Sequence, residues 1–375
     1  MKAHGWLKLL AATLFVSFAL ANDGVAGPPP VRRTLPGTTK GEASTRWIAP
    51  YVLAARQRVG PTGLTSVRWF DENGRVVREV AGPGVDARPE YVSDHADSRT
   101  TIHGVRSDWR FVLPTKPGPS GYITAVGDAF VHEFHPQEGE IAADIYVAGK
   151  LVGTVGPFLQ YKGRDVQGAA DGSLAFLAWK TKEQTAAQLV VAGPDGKLRF
   201  KVDCGEDVDS PIAARGGKGV LARVTTGREP PVRFRFFQEG GERASFDVGP
   251  NGGLAAWVSE AGLALFSTSI GDAYRYKLMD CTTGTTVWEI PEPVGHCPGA
   301  CSAVSVVGDR LLFAGATFAA VDVASGRIVA RCQPNAAIRS SPWFATLGDR
   351  LFVVTDEEFT EFSLADIAAR QNGWQ

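Results

Sequence analysis

The chain has 375 residues, enough for two or three ordinary domains or for one large repeat assembly. Hydrophobic residues make up 44% and charged residues 21%, close to globular averages, so a substantial core is available. Lys+Arg at 39 against Asp+Glu at 40 leaves no basic surplus, and no run of Lys or Arg marks a basic patch, which excludes a nucleic-acid partner.

Residues 1–21 read as an export signal. Lys2 and Lys8 supply positive charge, "LLAATLFVSFAL" is the apolar segment, and Ala19-Leu20-Ala21 is a small-residue cleavage pattern. The apolar run is shorter than the roughly 20 residues that span a bilayer as a helix. No later stretch is long and apolar enough to do so, and no transmembrane segment is expected in the mature chain. The first cysteine is Cys204, so lipid attachment at the cleavage point is not indicated. Cleavage places the mature chain in a periplasm or in the medium. Residues 22–46, rich in Pro, Gly, Thr and charge, are expected to form a flexible leader, with order beginning at Trp47.

From Trp47 to the end, short apolar or alternating runs are bounded by Gly, Asp and Asn, which is the pattern of strands. The one helical candidate is "LADIAARQ" near the end. Two patterns recur. The first is a polar turn running into an apolar strand, as in "GDAFVHEF" (127–134), "DGSLAFLAW" (171–179), "NGGLAAWV" (251–258), "GDRLLFAGA" (308–316) and "GDRLFVVTD" (348–356). The second is a hairpin with glycine at or near its tip, as in "WFDENGRVVREV" (69–80), "IYVAGKLVGTV" (145–155), "LMDCTTGTTVWEI" (278–290) and "AAVDVASGRIVARC" (319–332). Hairpin tips from Gly149 onward lie about 40 to 47 residues apart, a period in the range of a four-stranded propeller blade.

The expected fold is therefore all-β, a single β-propeller over residues 47–375 built of four-stranded antiparallel blades. Seven units are counted, at 47–80, 121–157, 168–204, 210–248, 250–290, 304–332 and 345–372. Six or eight blades are the alternatives, because 81–120 is left over as an insertion or a degenerate blade. A four-stranded sheet cannot bury both faces alone. Set radially, each sheet packs on two neighbours, which explains Leu, Val, Phe and Trp on both faces of these strands.

In "DCTTGTTVWEI", Asp280 is placed to accept bonds from turn amides, Thr283 suits a bonded turn, and Gly284 supplies the turn's backbone angle. Trp288 returns along the outgoing strand, where it is expected to wedge between blades. In "VDVASGRIVA", Asp322, Ser325, Gly326 and Arg327 repeat the spacing, with Ala330 in the Trp position. The spacing resembles the tryptophan-docking motif of the quinoprotein (PQQ) alcohol-dehydrogenase-like propellers, within the wider class that includes WD40-like repeats. The resemblance implies a propeller fold. Catalytic members of that family seat their quinone against an adjacent-cysteine disulfide and a calcium ion. Here Cys204, Cys281, Cys297, Cys301 and Cys332 are all separated, so the resemblance implies no cofactor and carries over no catalytic residue. It points to the non-catalytic exported members, whose blades serve as a protein-binding platform.

The remaining chemistry is sparse. Cys297 and Cys301, in "HCPGAC", flank a Pro-Gly turn and form a candidate disulfide. His132 and His135 are three apart, on opposite faces if both lie on a strand, and cannot chelate one ion together. Asp94, His95 and Asp97 read as a solvated loop, and Asp203, Glu206, Asp207 and Asp209 do not fit a calcium-binding loop. Ser120 lacks a nucleophile elbow. The expectation is a monomeric, non-catalytic exported propeller that binds a protein or glycan partner. The alternative is a propeller hydrolase or lyase, or a divergent PQQ-dependent enzyme.

Overall fold

The computed structural model describes the chain within residues 31–363, apart from connecting segments of which the longest are 35–43, 291–302 and 333–342. Side chains are described within 65–329. Among the described residues there are 32 strands and a single 3-10 turn, Arg215–Gly217. The chain begins with β1 (Val31–Thr34) and then makes a first unit, β2 (Ser44–Ala49), β3 (Val52–Val59), β4 (Leu64–Phe70) and β5 (Val76–Gly82). The second unit is β6 (Val85–Ala87), β7 (Tyr91–Ala96), β8 (Arg99–Gly104) and β9 (Arg110–Val112). The third is β10 (Ser120–Thr124), β11 (Ala129–Phe134), β12 (Glu140–Val147) and β13 (Lys150–Gln160). The fourth is β14 (Gln167–Gly168), β15 (Leu174–Trp179), β16 (Ala187–Ala192) and β17 (Leu198–Asp203). The fifth is β18 (Val208–Ala213), β19 (Val220–Val224), β20 (Val232–Gln238) and β21 (Gly241–Gly249). The sixth is β22 (Gly253–Trp257), β23 (Leu263–Ile270), β24 (Ala273–Asp280) and β25 (Thr285–Ile290). The seventh is β26 (Ala303–Val307), β27 (Arg310–Ala314), β28 (Phe318–Asp322) and β29 (Ile328–Cys332). The closing unit is β30 (Trp343–Leu347), β31 (Arg350–Val354) and β32 (Glu358–Ser363).

These strands pair antiparallel into six four-stranded sheets and one eight-stranded sheet. The eight-stranded sheet is the third and fourth units, joined where the end of β13 meets β15 at Leu159↔Trp179 and Gln160↔Ala178. The closing unit takes its outer strand from the other end of the chain, since β1 pairs with β32 from Val31↔Glu361 to Thr34↔Glu358. Leading strands lie beside leading strands: β2 against β30, β10 against β14, β14 against β18, and β22 against β26. That arrangement puts the first strand of a unit innermost and its fourth outermost. The architecture is a β-propeller of antiparallel sheets.

One segment differs from the sequence expectation, and a second takes the degenerate-blade alternative given for 81–120. Residues 31–34 and 44–46, placed in a flexible leader, lie in β1 and β2. Residues 85–112, left over from the repeats, make a four-stranded sheet of their own. Its first and last strands are three residues each, too short to show an alternating pattern in the sequence. The helical candidate near the end lies outside the described residues.

The core sits between the sheets, and strand periodicity divides it. On β15, Leu174, Phe176 and Ala178 pack with Val131, Ile141 and Ile145 of the third unit. The intervening Ala175, Leu177 and Trp179 pack with Val220, Ala222 and Phe237 of the fifth. On β19, Val220 and Ala222 face back to the fourth unit, while Leu221 faces forward with Phe266 of the sixth. On β23, Ala264 and Phe266 join the fifth unit, and Leu265 joins Leu311 and Phe313 of the seventh. Successive side chains of one strand thus belong to two different cores. Burying each such Leu or Phe is worth roughly 1.5–3 kcal/mol.

Phe266→Ala, at 0% exposure between two units, is expected to cost about 3–5 kcal/mol in a urea unfolding experiment. Val287→Ala, on the outer strand at 48% exposure, is expected to stay within about 0.5 kcal/mol.

Candidate functional site

The turn between the third and fourth strands of a unit rests on the outer strand of the unit before it. In the seventh unit, Gly326 donates its amide to the Asp322 carbonyl at 2.9 Å. Ser325 donates its amide and hydroxyl to Asp322 Oδ1 at 2.9 and 2.7 Å. Arg310 pairs with the other carboxylate oxygen of Asp322. Over this turn lies Trp288 of β25, whose Nε1 donates to the Val323 carbonyl at 2.8 Å. Gly326 is required twice. Its φ is +70°, and a Cβ there would stand 2.7 Å from Trp288 Cδ2.

The sixth-unit turn is built alike. Thr282 donates its amide to Asp280 Oδ1 at 2.8 Å, and Gly284, at φ +72°, donates to the Asp280 carbonyl at 2.8 Å. Thr282 is the principal partner of the carboxylate, its hydroxyl donating to Oδ1 at 2.5 Å, and Thr283 adds weaker hydrogen bonds to it while its hydroxyl also reaches the Asp280 carbonyl at 3.4 Å. A Cβ on Gly284 would meet Ala244 Cβ of β21 at 3.3 Å. Hydrogen bonds from Thr282 and from Ser325 hold Asp280 and Asp322 below the usual carboxylate range.

The docking residue has a fixed address. Trp288 stands four residues after Gly284, and Ala244 four after Gly240. Gly153, four after Gly149, would bring a Cβ within 2.8 Å of Gly196 Cα in the fourth-unit turn. Arg78, four after Gly74, donates to the Gly104 carbonyl at 3.0 Å and pairs with Asp108 at 3.1 Å, with its guanidinium 4.0 Å over Trp69. Phe200, four after Gly196, instead enters the apolar core between the fourth and fifth units.

A second polar constellation lies where the second and third units meet. Asp144 of β12 has 0% exposure, with Lys116 Nζ 2.7 Å from Oδ2 and the Thr154 hydroxyl donating to Oδ1 at 2.6 Å. His132 of β11 is the cross-strand partner of Asp144. Burial pushes His132 below the ordinary histidine range; Asp144 opposes that and Lys116 adds to it. Tyr146 is pushed up to about 12 by burial and by Asp144. On the other face of β11, Glu133 accepts the Val166 amide at 2.8 Å and stands 3.4 Å from His135 Nε2, while His135 Nδ1 meets the Glu140 carbonyl at 2.8 Å. His132 and His135 therefore have separate partners.

The other residues singled out in the sequence are dispersed. Asp94 and His95 lie on strand β7 rather than in a loop, with His95 Nδ1 2.9 Å from the Thr100 hydroxyl. Asp97, Glu206, Cys297 and Cys301 lie outside the described residues. Asp203 binds Lys180 at 2.7 Å, Asp207 binds Arg235 at 2.9 Å, and Asp209 accepts the Ser210 amide at 2.7 Å. Among the described residues, no three metal-binding side chains gather. Cys204 and Cys281 are buried free thiols, each pushed up to about 12 chiefly by burial, which leaves them protonated and poor nucleophiles. Sequence reasoning missed Lys116, Asp144 and Thr154; they come from three separate segments, Asp144 and Thr154 meeting through strand register and Lys116 reaching them from the segment after β9.

No protein-family model matches the chain, and no curated protein matches its sequence. Among solved structures, BamB from Moraxella catarrhalis overlaps 86% of this chain and 98% of its own, at 14% identity and a TM-score of 0.46. The C-terminal WD40 domain of Sif2 overlaps 87% of this chain and 99% of its own, at 11% identity and a TM-score of 0.48. An uncharacterized protein of Listeria monocytogenes EGD-e overlaps 77% and 94%, at 12% identity and a TM-score of 0.43. The likeness is one of fold. The propeller assignment rests on the strand pairing and inter-sheet packing of this chain.

Trp288→Ala is expected to cost about 3 kcal/mol, the low end for a half-buried indole, and Gly326→Ala about 1–3 kcal/mol through backbone strain and the indole contact. In the double variant the Gly326→Ala cost is expected to shrink, because the indole it strikes is gone; melting the four chains of the cycle measures this coupling. The histidines give a separate signature. Burial lowers both His103 and His132, so the unfolded chain takes up their protons first. Their contribution is full above about pH 6.5 and is lost as pH falls below it, whereas that of Asp280 and Asp322 is lost only below about pH 4. Urea midpoints measured across pH are expected to show the upper step, and to show it reduced in His132→Gln.

Proposed function

We propose that the chain is an exported, non-catalytic, eight-bladed propeller that acts as a binding scaffold for a protein or glycan partner. A count of eight, in place of the seven preferred from the sequence, is supported by seven four-stranded units and a closing unit to which β1 adds a fourth strand. Export rests on the signal-like residues 1–21.

One observation carries the scaffold reading. The side chains best suited to chemistry among the described residues are spent on holding the ring together. Asp280 and Asp322 bind their own turns, Asp144 binds Lys116 and Thr154 in full burial, and Cys204 and Cys281 are protonated thiols inside the core. A surface that carries loops on a rigid ring, with its reactive groups committed inside, is suited to presenting contacts rather than transforming a substrate.

The test is to immobilise the mature chain, pass an envelope extract and a glycan array over it, and titrate whatever is retained. Saturable binding of one protein or one glycan class at a single stoichiometric site is the expected outcome. A quinone absorption band after incubation with PQQ and calcium, or turnover of a retained glycan, would overturn the reading.

A further inference from the structure

The rim of the ring is not uniform. The outer strands β9, β13 and β17 carry Val112, Leu151, Val152 and Leu198, each between 42% and 54% exposed. In β13 the ladder itself passes over Val152, since Tyr146 pairs with Leu151 and Ile145 with Gly153. The four side chains stand beside the contacts that join successive units. A Cβ on Gly149, at the third-unit turn, would lie 3.3 Å from the Arg110 carbonyl of β9, and Gly153 of β13 meets Gly196 of the fourth-unit turn. Val112 and Leu151 are each two residues from the first contact, and Val152 and Leu198 are one and two residues from the second. They therefore form a stripe that runs across three units at one level of the rim.

The charges along that stripe are unevenly matched. Arg110, Lys150 and Lys197 are exposed, and among the described residues none of the three side chains has an ion-pair or hydrogen-bond partner. The acids beside them are already engaged, Asp108 with Arg78 at 3.1 Å and Asp195 with Arg199 at 3.0 Å. The outer strand of the fifth unit is different. There Glu242 pairs with Arg235 at 2.6 Å and Asp247 with Arg233 at 2.7 Å, and no large apolar side chain is exposed.

Aliphatic surface left in water favours a partner that covers it, and uncommitted cations favour one that carries acids. A polypeptide supplies both, residue by residue. A sugar chain is covered best by exposed aromatic rings, and an aromatic belt marks a membrane interface. The rings on these three strands are turned inward instead. Phe111 stacks on Tyr146 with centroids 4.4 Å apart, Phe158 lies 5.3 Å from Phe176, and Phe200 enters the core between the fourth and fifth units.

Resting on the scaffold reading, we propose that the stripe on β9, β13 and β17 is the docking surface for a partner protein. It takes an acidic, aliphatic-rich segment of that partner, whose carboxylates face Arg110, Lys150 and Lys197 while its aliphatic side chains cover Val112, Leu151, Val152 and Leu198.

The test is to pan a displayed library of random peptides on the full chain and to titrate the peptides recovered. Enrichment in Asp and Glu together with Val, Leu and Ile is expected, with binding that weakens as salt is raised. The double variant Arg110→Glu, Lys150→Glu is expected to weaken binding about tenfold, and Leu151→Ser a few-fold. Arg243→Glu, an exposed change on the fifth-unit outer strand, is expected to leave it unchanged. All four positions are exposed, so unaltered urea midpoints confirm that the variants fold. Failure to recover any peptide, recovery without acidic enrichment, or undiminished binding to the double variant would overturn the rim assignment and leave the scaffold reading in place. Binding to phosphatidylglycerol vesicles or to a polyuronate, or self-association, that is lost in the double variant would give the stripe to another occupant and overturn it as well. The quinone band or glycan turnover described above would remove the scaffold reading itself.

Discussion

The sheets whose side chains are described are apolar on both faces, and only a neighbour on either side can cover them. That single constraint dictates the rest. Because side chains alternate along a strand, Phe176 and Leu177 look into different cores although they are adjacent in sequence. A sheet removed from between its neighbours would present both faces to water. Stability is therefore shared around the ring, as in other repeat architectures where each unit contacts only the next.

The polar residues work at the places that apolar packing leaves open. Apart from the end of β13, which meets β15, the described outer strands have no strand beyond them, and there the hairpin of the following unit is fastened by directional contacts: an indole N–H to a carbonyl, a guanidinium to a carbonyl and a carboxylate, or two backbones brought together by glycine. Deeper in, Asp144, Lys116 and Thr154 put a charged pair where the second and third units meet. A pair of that kind adds little net stability over an apolar filling, but losing one partner leaves a buried charge.

The repeat rhythm was legible because turns and apolar strands recur at nearly constant spacing, and Trp288 was legible because an indole four residues after a turn glycine has few other uses. The second unit was not, since β6 and β9 are three residues long and alternation needs more. The docking position was hidden by its variety. Arg78, Gly153, Ala244 and Trp288 share an offset and a task but no chemistry, so no pattern of residue types reveals them. Lys116, Asp144 and Thr154 were beyond reach for another reason. The meeting of Asp144 and Thr154 depends on which residue faces which across β12 and β13, including a register shift between Ile145 and Tyr146 that sequence periodicity does not encode, and Lys116 arrives from a segment outside both strands.

The pairing of β1 with β32 sets a schedule as well as a shape. Val31 leaves the ribosome early and Glu361 late, so β1 waits without its partner strand for nearly the whole of synthesis. A bare edge accepts any strand that matches it, including one from another nascent chain. The yield of correctly zipped molecules therefore depends on how long β1 waits before β32 reaches it.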